Sequence, residues 1–452
     1  MASTQDGFSY SQQALRDIAQ QILDYAKSRG ATACEADVSE GSGQSVTVRR
    51  GAVETIEYNR DKGIGVTVYL GQQRGHASSS DFSAAALRST VDAALSIARF
   101  TAPDACAGLA DEALLWRGGQ ADIAALDLYH PWDITVEDAV ELARYCEAAA
   151  FAVSPFIKNS EGASVSRQAS QFVAANSLGF NAGFATSRHS LSCSVIAGEG
   201  EDMQRDDWYA SRRDAHELPN AARVGDYAAR RALSRLGASR VPTCNVPIIF
   251  EAPLACGLIS NLVHAASGSS LYRRSSFLLD ALGEQIFSPI VQLREDPTVP
   301  KALASTPFDD EGVGTQARDI VRDGVLQAYF LGSYSARKLG MRSTGNAGGS
   351  HNLVLEAGER SLAELAADIG RGLLVTELLG QGVNYVTGDY SRGAAGYWIE
   401  NGEIRQPVQE VTIAGNLRDM FRNVRAVGND VIVRGGKQSG SIVIDGMTLA
   451  GA

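Results

Sequence analysis

No stretch of this 452-residue sequence approaches the roughly 18 to 20 consecutive apolar residues that a membrane-spanning helix needs. Met1 to Tyr10 is polar and has neither the cationic nor the apolar region of a secretory signal, so the expected address is cytoplasmic, away from any membrane. Cysteine is sparse: the six residues Cys34, Cys106, Cys146, Cys193, Cys244 and Cys256 include no C-x-x-C pair, which fits reduced, mostly buried thiols rather than a disulfide framework. Positive charge is also short, with 41 Lys and Arg against 52 Asp and Glu and a net charge of −11. A nucleic-acid partner would need clustered cations to displace counterions from phosphates, so no nucleic acid is expected as a direct ligand. The one arginine cluster in a helical stretch, Arg223, Arg230, Arg231 and Arg235, reads as a solvated helix face.

The usual signatures of local chemistry are missing too. The two nearest histidines, His189 and His216, lie 27 residues apart, which excludes a helix carrying two imidazole ligands for one zinc ion. No G-x-S-x-G nucleophile elbow, phosphate-binding P-loop or dinucleotide glycine fingerprint occurs. The glycine-rich Gly345 to Gly349 has no lysine and follows no clear strand, and it reads as a flexible loop.

What is present describes a globular chain, with 44% hydrophobic and 21% charged residues. A single core stops growing at roughly 250 to 300 residues, so two domains are expected. A helix begins after Ser11, whose hydroxyl can cap it, and ends at Gly30. Strand-like runs at 33–39, 44–50, 52–59, 62–70 and 73–79 follow, then a helix over 83–100. The order recurs: a helix over 135–153, strands at 162–168, 170–177, 186–198 and 203–212, and a helix over 220–236. The fold class is therefore α+β. An N-terminal domain, 1–240, carries duplicated helix, antiparallel-sheet, helix units, and a β-rich C-terminal domain with a few helices and longer strands occupies 241–452. Within it, 245–250 reads as a buried strand and 252–266 as a helix, with hairpins about Asp323-Gly324 and Asn401-Gly402.

One local cluster of charge could bind a hard cation: Asp309, Asp310 and Glu311 stand together before Gly312. Successive side chains on an extended chain diverge, so a solvated or arginine-paired turn is the preferred reading.

Several segments together resemble the PmbA/TldE branch of the TldD/PmbA family, whose members are also called modulators of DNA gyrase. They are Pro247 to Ala255, Asp309 to Gly312, Gly388 to Ile404, Val411 to Leu417, Gly428 to Asp430 and Ile444 to Gly451. The resemblance implies a heterodimeric metallopeptidase acting on unfolded peptides, including peptide-antibiotic precursors and an antitoxin. Its zinc would be carried by a TldD-type partner through a His-Glu-x-x-x-His helix and a late cysteine. Carried over position by position, that motif falls on Phe250, Glu251 and Ala255, and the cysteine falls near Arg434 or Gly435. Phenyl and methyl groups have no lone pair for a cation, so no metal or other cofactor is expected in this chain. Cys256 and His264 lie two helical turns apart, too far to serve one ion as substitutes.

Glu251, the one surviving member of the motif, is the only catalytic candidate and reads as a relic that caps a helix or pairs with an arginine. Tyr390, Ser391, Arg392 and Gly393 form the candidate peptide-binding loop, since arginine can take a carboxylate or carbonyl and glycine allows close approach; a tight structural turn is the alternative. The resemblance leaves open a homodimer when the partner is absent. It also leaves open a stand-alone regulatory or binding protein without peptidase activity.

Overall fold

The computed structural model describes residues 7–451. Met1 to Asp6, and with them most of the segment expected to lack a targeting signal, lie outside the described residues.

Ser11 caps the first helix as expected, its hydroxyl accepting the Ala14 N–H, and α1 runs Gln12–Ser28. Three antiparallel strands follow, β1 (Ala33–Arg49), β2 (Ala52–Leu70) and β3 (Gln73–Ser79), then α2 (Ala84–Phe100). The second unit repeats the order with a helix over Val136–Val153, β4 (Ile157–Asn176), β5 (Asn181–Ala197), β6 (Gln204–Arg212) and a helix over Ala221–Ser234. Both units share one six-stranded sheet in the order β3-β2-β1-β4-β5-β6. The seam is a long antiparallel ladder from Glu35 opposite Asn176 to Val48 opposite Ala163.

Two separate cores explain why the sequence divides strands that are continuous. Val38, Val66 and Val173 pack beneath α1 and α2 with Leu15, Ile22 and Leu95. Val46, Val48 and Val165 pack beneath the later helix pair with Ala143, Leu191 and Val224. Between the cores the apolar alternation lapses, but the ladder is made by backbone groups and continues through Gly41-Ser42-Gly43. The runs 33–39 and 44–50 are therefore one strand, as are 52–59 with 62–70 and 162–168 with 170–177.

The later half is built on β7 (Cys244–Phe250), which pairs with Gly372–Leu379 on one side and Ile442–Ala450 on the other. Strands Asp389–Glu400 and Glu403–Asn416 extend the sheet, and Thr412 to Ala414 pair back onto Thr448 to Ala450. The five strands thus close on themselves and leave no edge at that seam. Ile248, Phe250, Leu373, Tyr390, Ile413 and Leu449 belong to the core of this half. The expectation of longer strands here is corrected: the longest has 14 residues, against 20 for β4. The fold is mixed α+β, and among the described residues no helix is long and apolar enough to cross a membrane. Cys34, Cys146, Cys193 and Cys256 are buried, and all six cysteines are free thiols.

Candidate functional site

The turn from β7 into the helix Ala252–Ala265 holds the segment that the resemblance singles out. Phe250 and Ala255 are both fully buried, the ring of Phe250 lying edge-on to Tyr390. Glu251 stands at the N-cap of the helix, and Pro253 occupies the first turn, where its missing N–H costs nothing. The Glu251 side chain makes no capping bond. Its Oε1 instead accepts a hydrogen bond from Arg231 Nη1 at 2.7 Å, while Oε2 is buried without a partner. Burial raises the Glu251 carboxyl above its ordinary pKa, and the bond from Arg231 opposes that rise.

Arg231 is one node of a chain of ion pairs. Its Nε donates to Asp206 at 3.0 Å, Arg235 reaches the other oxygen of Asp206 at 3.4 Å, and Arg235 also pairs with Glu377. The side chains of Arg231 and Arg235 are only 14% and 11% exposed, so two of the four arginines read as a solvated face are in fact largely shielded, between Asp206 of β6 and Glu251 and Glu377 of the later half. Arg230, 67% exposed and paired with Asp226, fits that reading.

A cleft of about 520 Å³ opens above this network. Arg188, Arg205, Asp207, Trp208, Cys256 and Lys437 line it, together with Arg434 and Gly435, where the resemblance would place a cysteine ligand. Arg434 stacks on Trp208 and Tyr209, its guanidinium carbon 4.2 and 4.1 Å from the two ring centroids, and donates to the Tyr209 carbonyl at 2.7 Å. Cys256 Sγ faces the carbonyls of Ile432 and Lys437, and His264 stacks on Tyr385 with centroids 3.9 Å apart. Among the described residues no three His, Cys, Asp or Glu side chains converge as metal ligands. The donor set here does not fit a zinc ion: two positions are hydrocarbon, the third falls at Arg434 or Gly435, neither of which offers a metal a side-chain lone pair, and Glu251 is already held by an arginine.

Tyr390 to Gly393 are strand rather than loop or turn, and their ladder positions are occupied on both sides. Ser391 pairs with Ala414 across one edge, and its N–H donates to the Gly382 carbonyl at 2.7 Å on the other. Tyr390 is buried, Arg392 is half-buried with its Nε unbonded, and only Ser391 is exposed.

Of the three acids after Phe308, Asp309 is set apart by burial while Asp310 and Glu311 share one cavity, and no arginine pairs with them among the described residues. Asp309 is buried and accepts the N–H groups of Glu311, Val313 and Ala347, each at 2.9 Å. Burial nonetheless pushes its carboxyl up to about 7. Glu311 accepts the Ser333 N–H. Asp310 and Glu311 face a cavity of about 860 Å³ whose opposite wall is Glu35, Asp37, Arg74 and His76 from the first sheet. Alternating acids on β1 were the only sequence signal for that meeting. The Gly345 to Gly349 segment is anchored rather than loose: Asn346 donates to buried Glu295 and accepts from Arg318.

Sequence profiles of three domains match in succession: PmbA/TldA metallopeptidase domain 1 over residues 34–98, the central domain over 129–236 and the C-terminal domain over 243–451. The chain is 48% identical to Metalloprotease PmbA of Escherichia coli O157:H7 over 94% of its own length and 93% of that protein. It is 46% identical to a Metalloprotease PmbA homolog of Haemophilus influenzae over 97% of both chains. Its structure superposes on that of a candidate modulator of DNA gyrase from Bacteroides thetaiotaomicron with a TM-score of 0.91 at 29% identity, covering 97% of this chain and 99% of the other.

Proposed function

Because the chain belongs to the PmbA/TldD metallopeptidase family, we propose that it is the metal-free subunit of a two-chain metallopeptidase whose zinc is carried by a TldD-type partner. The observation that carries this reading is the occupation of the motif positions by Phe250, Ala255 and, near the cysteine position, Arg434 or Gly435, with Glu251 bound to Arg231. A general base acting on metal-bound water needs a metal whose field lowers the pKa of that water, and these side chains supply no way to hold one. Glu251 is accordingly assigned a structural role.

In this reading the chain forms one wall of a chamber in the cytoplasm that admits extended, unfolded peptides. A wall contributes to rate by excluding water and by holding the substrate in place. Ser391 and Arg392 remain the assigned peptide contacts, together with Tyr390 and Gly393 as their support. They would act through side chains, because both ladder edges beside them are already paired.

The test is to purify the chain alone and with a TldD-type partner, then measure metal content and cleavage of an unfolded protein. We expect zinc and chelator-sensitive cleavage only in the mixture, at one ion per pair of chains. Stoichiometric zinc in the isolated chain overturns the assignment. The second reading, a stand-alone regulatory protein, draws on the gyrase-modulator description of the Bacteroides relative. It predicts a functional homodimer that captures no TldD-type chain.

A further inference from the structure

The cleft above Glu251 has lost the means to hold a cation and has the composition of a site for an anion. Six cationic side chains line it, Arg188, Arg205, Arg231, Arg235, Arg434 and Lys437, against three carboxylates, Asp206, Asp207 and Glu377, in a chain whose net charge is −11. Three of the cations are already neutralised: Arg231 by Asp206 and Glu251, Arg235 by Asp206 and Glu377, and Arg205 by Glu161. The other three form no ion pair among the described residues, although Asp207 lies near enough to Arg434 to act on it electrostatically. Arg188 donates to the Ser211 hydroxyl and Arg434 to a backbone carbonyl, and among the described residues the Lys437 ammonium donates no hydrogen bond. Asp207 is the one lining carboxylate outside the ion pairs, which leaves a local excess of positive charge.

Arg434 is also prepared for planar recognition. Packing over Trp208 and Tyr209 holds its guanidinium in place, and the bond to the Tyr209 carbonyl occupies Nη1, leaving Nε and Nη2 without a hydrogen-bond partner among the described residues. A guanidinium so held can take both oxygens of a carboxylate at little cost in side-chain entropy, and burial in a cleft weakens solvent screening. The Thr376 hydroxyl is buried beside the same cleft without a hydrogen-bond partner among the described residues.

We propose that this cleft is an oxyanion subsite that anchors the terminal carboxylate of an extended peptide through Arg434 and Lys437. The inference rests on the reading of the chain as a peptide-handling wall, but its test uses neither metal nor catalysis, so the two can fail separately. An unstructured dodecapeptide carrying fluorescein at its N-terminus is made with either a free carboxyl or a carboxamide at its C-terminus, and binding to the full chain is followed by anisotropy. The free acid should bind about tenfold more tightly at low salt, equivalent to about 1.4 kcal/mol, and added salt should narrow the gap. In the double variant Arg434→Gln, Lys437→Gln the gap should fall below about twofold. Lys437→Gln alone, at a side chain that packs in no ion pair, guards against loss of fold in the double variant and should lower the gap part of the way. Equal affinity for acid and amide overturns the proposal, even where inorganic phosphate binds, because the cleft would then be a site for free anions. Failure of both peptides to bind, or a gap that survives both substitutions, also overturns it.

Discussion

Arg230 and Arg231 are adjacent in sequence and differ in everything that decides their energetic weight. Arg230 pairs with Asp226 on an exposed helix surface, whereas Arg231 lies between Asp206 and Glu251 with little access to water. Replacing Arg231 with Met should therefore destabilise the protein by about 3–5 kcal/mol, since two carboxylates lose their shared buried cation. Arg230→Met should cost less than about 1 kcal/mol. Urea denaturation of the two variants reads the difference directly, and equal costs would show that the Arg231 network carries no special weight. Asp309 supplies a second prediction, in pH. Its carboxyl, near 4 in the unfolded chain, is raised to about 7 in the folded one. The folded state thus binds this proton more tightly, and the group's contribution is complete below about pH 4 and lost as pH rises through about 7. Measured between pH 4 and 8, wild type should lose stability relative to Asp309→Asn as pH rises; a constant difference would place the folded pKa back in the ordinary range.

At the scale of elements, close backbone approach decides where a side chain can be added. Gly225 lies in the helix Ala221–Ser234, and a Cβ there would sit 2.0 Å from the Cys146 carbonyl of the neighbouring helix Val136–Val153. Alanine is favoured over glycine by about 1 kcal/mol in a helix, yet Gly225→Ala should destabilise by about 1–3 kcal/mol because the two helices must separate. Gly257, in the helix Ala252–Ala265, has nothing within 4 Å, and Gly257→Ala should instead stabilise by up to about 1 kcal/mol. Thermal melts of both variants check the opposite signs; a shared sign would show that propensity alone governs. The five long helices were legible in the sequence to within about two residues at their ends, because Ser11 and Ser83 cap and apolar periodicity continues behind them, whereas the short helices Gln120–Ala125, Gly268–Tyr272, Ser333–Lys338, Leu362–Ile369 and Leu417–Arg422 were not. Strand continuity was not, since the ladder through Gly41 and Gly43 leaves no mark in side-chain pattern. Tyr390 to Gly393 misled for the related reason that an Arg-Gly pair looks like a turn, while neighbouring strands hold it extended.

At the scale of the molecule, the two halves that we propose as domains, 1–240 and 241–452, share an aromatic cluster. Phe308 from the later half is buried among Trp116, Phe172, Phe180 and Phe184 from the earlier one, with centroid separations of 5.0 to 6.1 Å. Phe308→Ala should cost about 3–5 kcal/mol. If the cluster couples the halves, tryptophan fluorescence and far-ultraviolet circular dichroism should still report one coincident transition in wild type and separate in the variant. Coincident transitions in both proteins would remove the cluster from that role.

The sequence by itself determined the α+β class, the duplicated order of elements and the family, because periodicity, caps and motif order are local or linear properties of the chain. It also determined that Phe250 and Ala255 cannot ligate a metal, which is a matter of lone pairs and needs no coordinates. Only the tertiary structure decided that Arg231 meets Glu251, that Asp310 faces Glu35 and Asp37, and that Arg434 packs over Trp208 at a cationic cleft. Those meetings join residues tens to hundreds of positions apart, and charge and stacking act through space rather than along the chain.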